Sequence, residues 1–247
     1  MKKRINIGTS GWHYEHWKGP FYPERIPNGK LLKFYSARFD TVEVNNSFYR
    51  LPDEKTLIQW RDTAQKGFIF SIKASRLITH MKKLKDPAKT LPPLLERIEV
   101  LKDKLGPILF QMPPRWGLDI ERLDEFLNAL PKKHRYTFEF RDASWFDERV
   151  YEKLFRRNIA FCMYDFNHVL SPREITADFI YIRLHGPAGK YAGQYSDEAL
   201  AEWAGYFSRW IRDVKEIYCY FDNDEAGYAA KDALRLKEMV KSLPLAA

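Results

Sequence analysis

The chain has 247 residues, 45% of them hydrophobic and 30% charged, with a formal net charge of +8. This is the composition of a soluble globular protein, not of a disordered or fibrous chain, and the length suits one barrel-sized domain or two small ones. The positive balance favours an anionic partner, although charge kept for solubility alone accounts for a tilt of this size equally well. Two cysteines, Cys162 and Cys219, fall in strand-like runs and build no disulfide framework. No window approaches about 18 uninterrupted apolar residues, so no membrane span is expected. The opening "MKKRINIGTSG" enters a strand at once, without the apolar stretch of a secretory signal. A cytoplasmic protein without a membrane partner is the expectation.

Strand-like runs recur along the chain at 5–8, 41–46, 68–74, 107–112, 136–140, 159–166, 179–186 and 216–223. Amphipathic helical patterns lie between most of them, at 53–64, 92–106, 119–131, 197–214 and 228–243. Alternation of strand and helix predicts a parallel sheet with helical crossovers. Eight such units in about 250 residues predict an α/β fold of the (β/α)₈ TIM-barrel type, one domain over 1–247. An open doubly wound sheet is the alternative, but the first strand is not followed by a glycine-rich dinucleotide turn. The pattern is poorest at 166–178, "FNHVLSPREITAD", where a helix between the sixth and seventh strands is due.

Connections from helix to strand are short, whereas those after strands one, three and seven are long. Long loops without secondary structure are uncommon unless functional or disordered. In a barrel these three emerge at the carboxyl ends of the strands, the rim where such enzymes keep their sites.

Strand parity points to the same rim. Side chains alternate between faces, so Val42 and Val44 share one face while Glu43 and Asn45 share the other. In the fifth strand Glu139 and Arg141 oppose Phe138 and Phe140. In the seventh Arg183 and His185 oppose Ile182 and Leu184. Lys73, Gln111, Asp222 and Asn223 stand at the ends of three further strands. The apolar faces take the helices, which leaves the polar faces to the barrel axis. Charged groups buried there must pair with one another or serve a ligand.

Glu43, Glu139 and His185 are therefore the candidate catalytic groups, suited to acid–base work. Lys73, Arg141 and Arg183 are candidates to clamp a phosphate or carboxylate. Asn45, Gln111, Asp222 and Asn223 would orient a substrate, and Trp12 and Tyr14 of the first loop would lie against it. The competing reading is a structural ion-pair network that plugs the barrel. No motif for a nucleotide cofactor is present. A divalent metal on Glu43, Glu139, His185 and Asp222 is less favoured than salt bridging, and His13 and His16 in "HYEH" lack a third ligand nearby. The run "SRLITHMKKLKDPAKT" (75–90) is basic, so nucleic acid is an alternative partner, with Trp12 or Trp145 as stacking surfaces. A solvated charge run is the commoner meaning of such a cluster. "GPAGKYAGQYS" (186–196), with three glycines, has the makings of a lid.

The segments "GTSGWHYEHWKGPFYP", "VEVNNSFYRLP", "LITHMKKL", "LFQMPP", "FEFRDASW", "YIRLHG" and "YFDNDEAGYAAKDAL" together resemble the YecE-like family, domain of unknown function 72. The resemblance runs from residue 7 to about residue 238 and implies a TIM barrel. It carries no assigned catalytic roles. The expectation from the residues themselves is an acid–base enzyme (hydrolase, lyase or isomerase) acting on a small polar substrate with an anionic group.

Overall fold

A computed structural model describes residues 3–242. Eight parallel strands form the barrel: β1 (Arg4–Thr9), β2 (Thr41–Val44), β3 (Ile69–Lys73), β4 (Leu105–Gln111), β5 (Tyr136–Glu139), β6 (Ala160–Phe166), β8 (Phe179–Leu184) and β9 (Glu216–Phe221). They are hydrogen-bonded in the order β1-β9-β8-β6-β5-β4-β3-β2. The helices outside are α1 (Leu31–Ser36), α2 (Glu54–Thr63), α3 (Pro87–Thr90), α4 (Pro92–Ile98), α5 (Ile120–Ala129), α6 (Glu148–Arg156), α7 (Asp197–Trp210) and α8 (Tyr228–Ser242). Residue 243 of the expected last helix lies outside the described residues.

Side-chain caps start four of these helices. Asp53, Asp119, Asp147 and Ser196 each accept a backbone N–H from the first turn of α2, α5, α6 and α7, satisfying donors that the helix itself leaves open. The pattern at 92–106 does not run as one helix. α4 tightens into a 3₁₀ segment, Glu99–Lys104, in which Lys102 turns left-handed at φ 53°.

No helix fills 166–178. The chain instead folds back as a two-residue strand, β7 (Val169–Leu170), antiparallel to β6. The expected crossover helix is thus replaced by a hairpin, which places Val169 and Leu170, both more than half exposed, on the carboxyl rim.

The ladder closes least completely between β1 and β2. Beyond the strands, Ser10 and Glu43 form a single parallel bridge, and the Gly11 N–H donates to the Glu43 carbonyl at 2.8 Å. Gly8 allows the two strands to approach, because a Cβ there would overlap the Thr41 carbonyl oxygen.

Two cores follow from the alternation of side chains. The larger lies between strands and helices; the smaller runs along the axis and contains Ile69, Leu109, Cys162, Phe179, Tyr181, Tyr218 and Tyr220. Within it the Tyr220 hydroxyl meets those of Thr41 and Ser71, each at 2.7 Å. This layer of aromatic rings and hydroxyls closes the axis beneath the charged layer above. Both cysteines are buried and free. Among the described residues no helix is long and apolar enough to cross a membrane.

The close approach at Gly8 carries a testable cost. Gly8→Ala should destabilise the barrel by about 1–3 kcal/mol, the usual range for overpacking. A thermal melt should fall by several degrees, and an unchanged melt would show that the seam tolerates a side chain.

Candidate active site

One guanidinium organises the carboxyl end of the axis. Arg183, 1% exposed, reaches inward from β8. Its Nε donates to both oxygens of Glu43 at 3.1 Å. One terminal nitrogen donates to Glu139 Oε2 and to His185 Nε2, both at 2.9 Å. The other donates to Glu43 Oε1 and Asp222 Oδ2, both at 2.8 Å, and lies 3.2 Å from Ser10 Oγ. A guanidinium has five N–H groups, and every one of these is committed to the protein. Arg183 therefore has no free donor for a substrate, contrary to its expected role as a clamp.

The two inner carboxylates are equally occupied. Glu43, wholly buried, also accepts from the Tyr181 hydroxyl at 2.6 Å and from Ser10 Oγ. Glu139 accepts from Gln111 Nε2 at 2.7 Å, from Arg183 and from Arg141 Nε. Burial alone would raise Glu139, but Arg141 and Arg183 overcome it and hold the carboxyl well below the ordinary range. A carboxylate held so firmly ionised is a poor proton carrier near neutral pH.

His185 is also fixed. Nδ1 lies 3.0 Å from the Asp165 carbonyl, while Nε2 faces N–H groups of both Arg141 and Arg183, at 3.0 and 2.9 Å. That surrounding assigns the proton to Nδ1 and leaves Nε2 as acceptor. Burial, followed by the two guanidinium charges, pushes the imidazole well below its ordinary value. It is a neutral spacer between two arginines, and the expected proton shuttle has no open lone pair.

Two groups at the mouth behave differently. Asp222, at the end of β9 and 7% exposed, is held by Arg183 through Oδ2, while Oδ1 has no protein partner among the described residues. Burial lifts its carboxyl to about 7 against the opposing pull of Arg183, with Glu43 adding to the rise. Lys73, at the end of β3, forms no ion pair among the described residues; its ammonium lies 4.6 Å from the centre of the Phe48 ring. Burial, then repulsion from Arg183, lowers it to about 8. Each is thus pushed toward its neutral form and titrates near physiological pH.

A cavity of about 370 Å³ opens at the rim, lined among others by Gln111, Arg141, Tyr164, Phe166, Lys190 and Tyr191; Asp222 and Lys73 are not part of its lining. The Arg141 guanidinium lies over the Phe166 ring at 3.9 Å. One of its terminal nitrogens makes no hydrogen bond among the described residues, so Arg141 retains the capacity to meet an anion that Arg183 lacks.

The other expected site residues divide. Asn45 reaches the network through Ser10 Oγ at 2.8 Å. Tyr14 donates to the Ser10 carbonyl at 2.7 Å, and burial raises its phenol strongly. Asn223 is a clamp, donating to the Gly193 carbonyl of the 186–196 loop at 2.8 Å and to Asp232 of α8 at 2.9 Å. Trp12 turns away from the mouth and packs edge-on against Trp60, centroids 4.8 Å apart. Trp145 is fully buried against Phe140. Neither indole can serve as a stacking platform at the rim.

Among the described residues no group of three or more His, Cys, Asp or Glu side chains is arranged to hold a metal ion. The guanidinium of Arg183 stands between the carboxylates that would have supplied the ligands. Ser10 was not among the expected residues, yet it touches Glu43, Asn45 and Arg183. Extending the parity of β1 by one step, Asn6, Gly8, Ser10, would have placed it on the axis.

Fold and site together define a single-domain TIM barrel with an ionic layer below an open carboxyl rim. The family profile described as "Protein of unknown function DUF72" matches residues 6–246, and the chain belongs to that family. A DUF72 family protein from Thermotoga maritima is 30% identical, covers 97% of this chain and 100% of its own, and superposes with a TM-score of 0.88. One from Enterococcus faecalis V583, 17% identical, shares the fold at a TM-score of 0.76 over 98% of this chain and 99% of its own. The UPF0759 protein YunF of Bacillus subtilis (strain 168) is 23% identical over 276 residues, 96% of this chain and 94% of the relative.

Removing Arg183 would leave buried carboxylates without their counter-ion, a change that typically costs about 3–5 kcal/mol. Arg183→Met should lower the unfolding free energy by at least that much in a urea titration. A variant as stable as the parent would mean that the charge layer carries no structural weight.

Proposed function

We propose that the protein is an enzyme that moves a proton on a small polar substrate carrying a phosphate or carboxylate, bound at the carboxyl rim. The observation that supports this most strongly is the pair Asp222 and Lys73, whose carboxyl and ammonium are shifted to about 7 and about 8 at one mouth. Carboxyls raised and ammoniums lowered toward neutrality by burial are a recurring feature of acid–base catalysis.

Between those values Asp222 is mostly ionised and Lys73 mostly protonated. Asp222 Oδ1 then accepts the proton, and the Lys73 ammonium steadies the negative charge that develops or returns a proton to it. Arg141 and Lys190 hold the anionic end of the substrate in the rim cavity. Glu43, Glu139 and His185 act through others: they fix Arg183 and Arg141 and so set the field in which Asp222 titrates. The chemistry fits a hydrolase, lyase or isomerase.

Asp222→Asn should lower turnover by at least about 10²-fold, the usual size of such a contribution. The parent should show a narrow bell in kcat/KM, rising near pH 7 and falling near pH 8, with the two limbs belonging to the coupled pair. A fully active Asp222→Asn variant would remove the reading. Stability offers a second readout. A carboxyl raised from 3.8 to about 7 by folding loses stabilisation as pH rises through that interval. The parent should therefore weaken relative to Asp222→Asn between about pH 4 and 7, with a constant gap above.

A second reading, a nucleic-acid-binding rim, draws on exposed side chains around the mouth. Tyr49, Met81 and Tyr191 are 81%, 70% and 43% exposed, and Lys82 and Lys83 stand in the same basic loop as Met81. Tyrosines there, rather than the buried tryptophans, would stack on bases. Binding of a single-stranded oligonucleotide that weakens steeply between 50 and 200 mM salt would favour it; indifference to salt would eliminate it.

A further inference from the structure

A second recess lies on the flank of the barrel, apart from the ionic mouth. The connection from β1 wanders through residues 10–30 and returns in α1, only six residues long, beside the ten residues of α2. The short helix leaves a cleft of about 560 Å³ between the first loop, the start of α1 and the face of α2.

Its walls are unlike the rest of the molecule. In a chain with 30% charged residues and a net charge of +8, the lining includes no lysine or arginine. Its single carboxylate, Glu15, is already paired with Lys18 at 2.7 Å. Amides replace the charges: Asn28, Asn45, Asn46 and Gln59 all face the recess. The edge-to-face pair Trp12 and Trp60 forms its apolar side.

Hydrogen-bonding capacity is left open there. Asn45 Oδ1 is buried and finds no partner among the described residues, although its Nδ2 is held by Ser10 Oγ at 2.8 Å. Among the described residues neither Trp12 nor Trp60 gives its indole N–H to a protein acceptor, whereas Trp17 and Trp145 donate to backbone carbonyls. A buried acceptor without a partner is costly unless a ligand or water completes it.

We propose that this cleft binds a neutral, hydroxyl-rich ring, a sugar unit, with its C–H face against Trp60 and its hydroxyls among the amides. Neutral amides both donate and accept, as hydroxyl groups require, and an aromatic wall supplies the apolar contact that a sugar's C–H face can use. An anion would find no lysine or arginine among the lining residues, only the imidazole of His13, and a purely apolar ligand would leave the amides dry and unpaired. The proposal is independent of proton transfer at Asp222, since neither Asp222 nor Lys73 lines the cleft.

The test is a titration of the full chain with D-glucose, D-galactose, N-acetyl-D-glucosamine and D-ribose. It is followed by ligand saturation-transfer NMR and by the indole N–H signals of Trp12 and Trp60. Gly29 offers a clean block, because a side chain added there meets no atom within 4 Å and would grow into the recess. At least one of the four sugars should shift an indole signal of Trp12 or Trp60. Gly29→Phe should weaken that response at least tenfold while keeping the parent's melting temperature, and Gln59→Lys should do the same for a neutral sugar. The proposal is overturned if none of the four sugars perturbs either indole. It is also overturned if the response survives Gly29→Phe, or if glucose 6-phosphate binds the cleft more tightly than glucose. Loss of catalysis in Asp222→Asn with sugar binding retained, or the reverse, separates this site from the rim.

Discussion

Everything at the carboxyl end of this barrel depends on burying one guanidinium among three carboxylates. Arg183 cannot shed its proton under any ordinary condition, so its positive charge is a fixed quantity around which the others arrange themselves. Glu43, Glu139 and Asp222 all reach it within 2.9 Å. A buried ion pair is not by itself a source of stability, because desolvation offsets much of the attraction. What the arrangement provides is uniqueness of geometry: four of the five committed donors from β8 fix the ends of β2, β5 and β9 relative to one another.

The same constraint explains why the titrating groups lie where they do. Formally the layer holds three carboxylates, on Glu43, Glu139 and Asp222, and three cations, on Lys73, Arg141 and Arg183. The two arginines give their best geometry to the innermost acids, and Glu139 is held well below the ordinary carboxyl range. Asp222 receives one oxygen's worth of Arg183, and Lys73 receives an aromatic face instead of a carboxylate. Both are nevertheless dry enough to feel the full disfavour of being charged. Residual desolvation is thus concentrated on Asp222 and Lys73.

Much of this was legible in the chain. The eight strand runs and their parity placed Glu43, Glu139, Arg183 and His185 on one axis, because period-two alternation survives in any strand with one apolar face. The allocation of roles was not legible. Parity says that Glu139 and Asp222 point inward, but not that one meets two guanidinium groups and the other only part of one. Distances between strands that are remote in sequence decide that, and no local pattern encodes them. Trp12 misled for a related reason: a loop tryptophan reads as a rim aromatic until Trp60, from α2, supplies its partner. The 166–178 segment misled by analogy with the other crossovers, although its own weak periodicity already suited the short hairpin that replaces the helix.

Ser10 joins the two polar regions of the molecule. Its hydroxyl donates to Glu43 and receives Asn45 Nδ2, so one small side chain links the charged axis to the amide that lines the flank cleft. Charge and neutral polarity are kept on opposite sides of that link. On the axis, charged groups set one another's protonation; in the cleft, amides and indoles offer hydrogen bonds without a lysine or arginine beside them. The seam between β1 and β2, where the barrel is least completely laddered, is where these two chemistries meet.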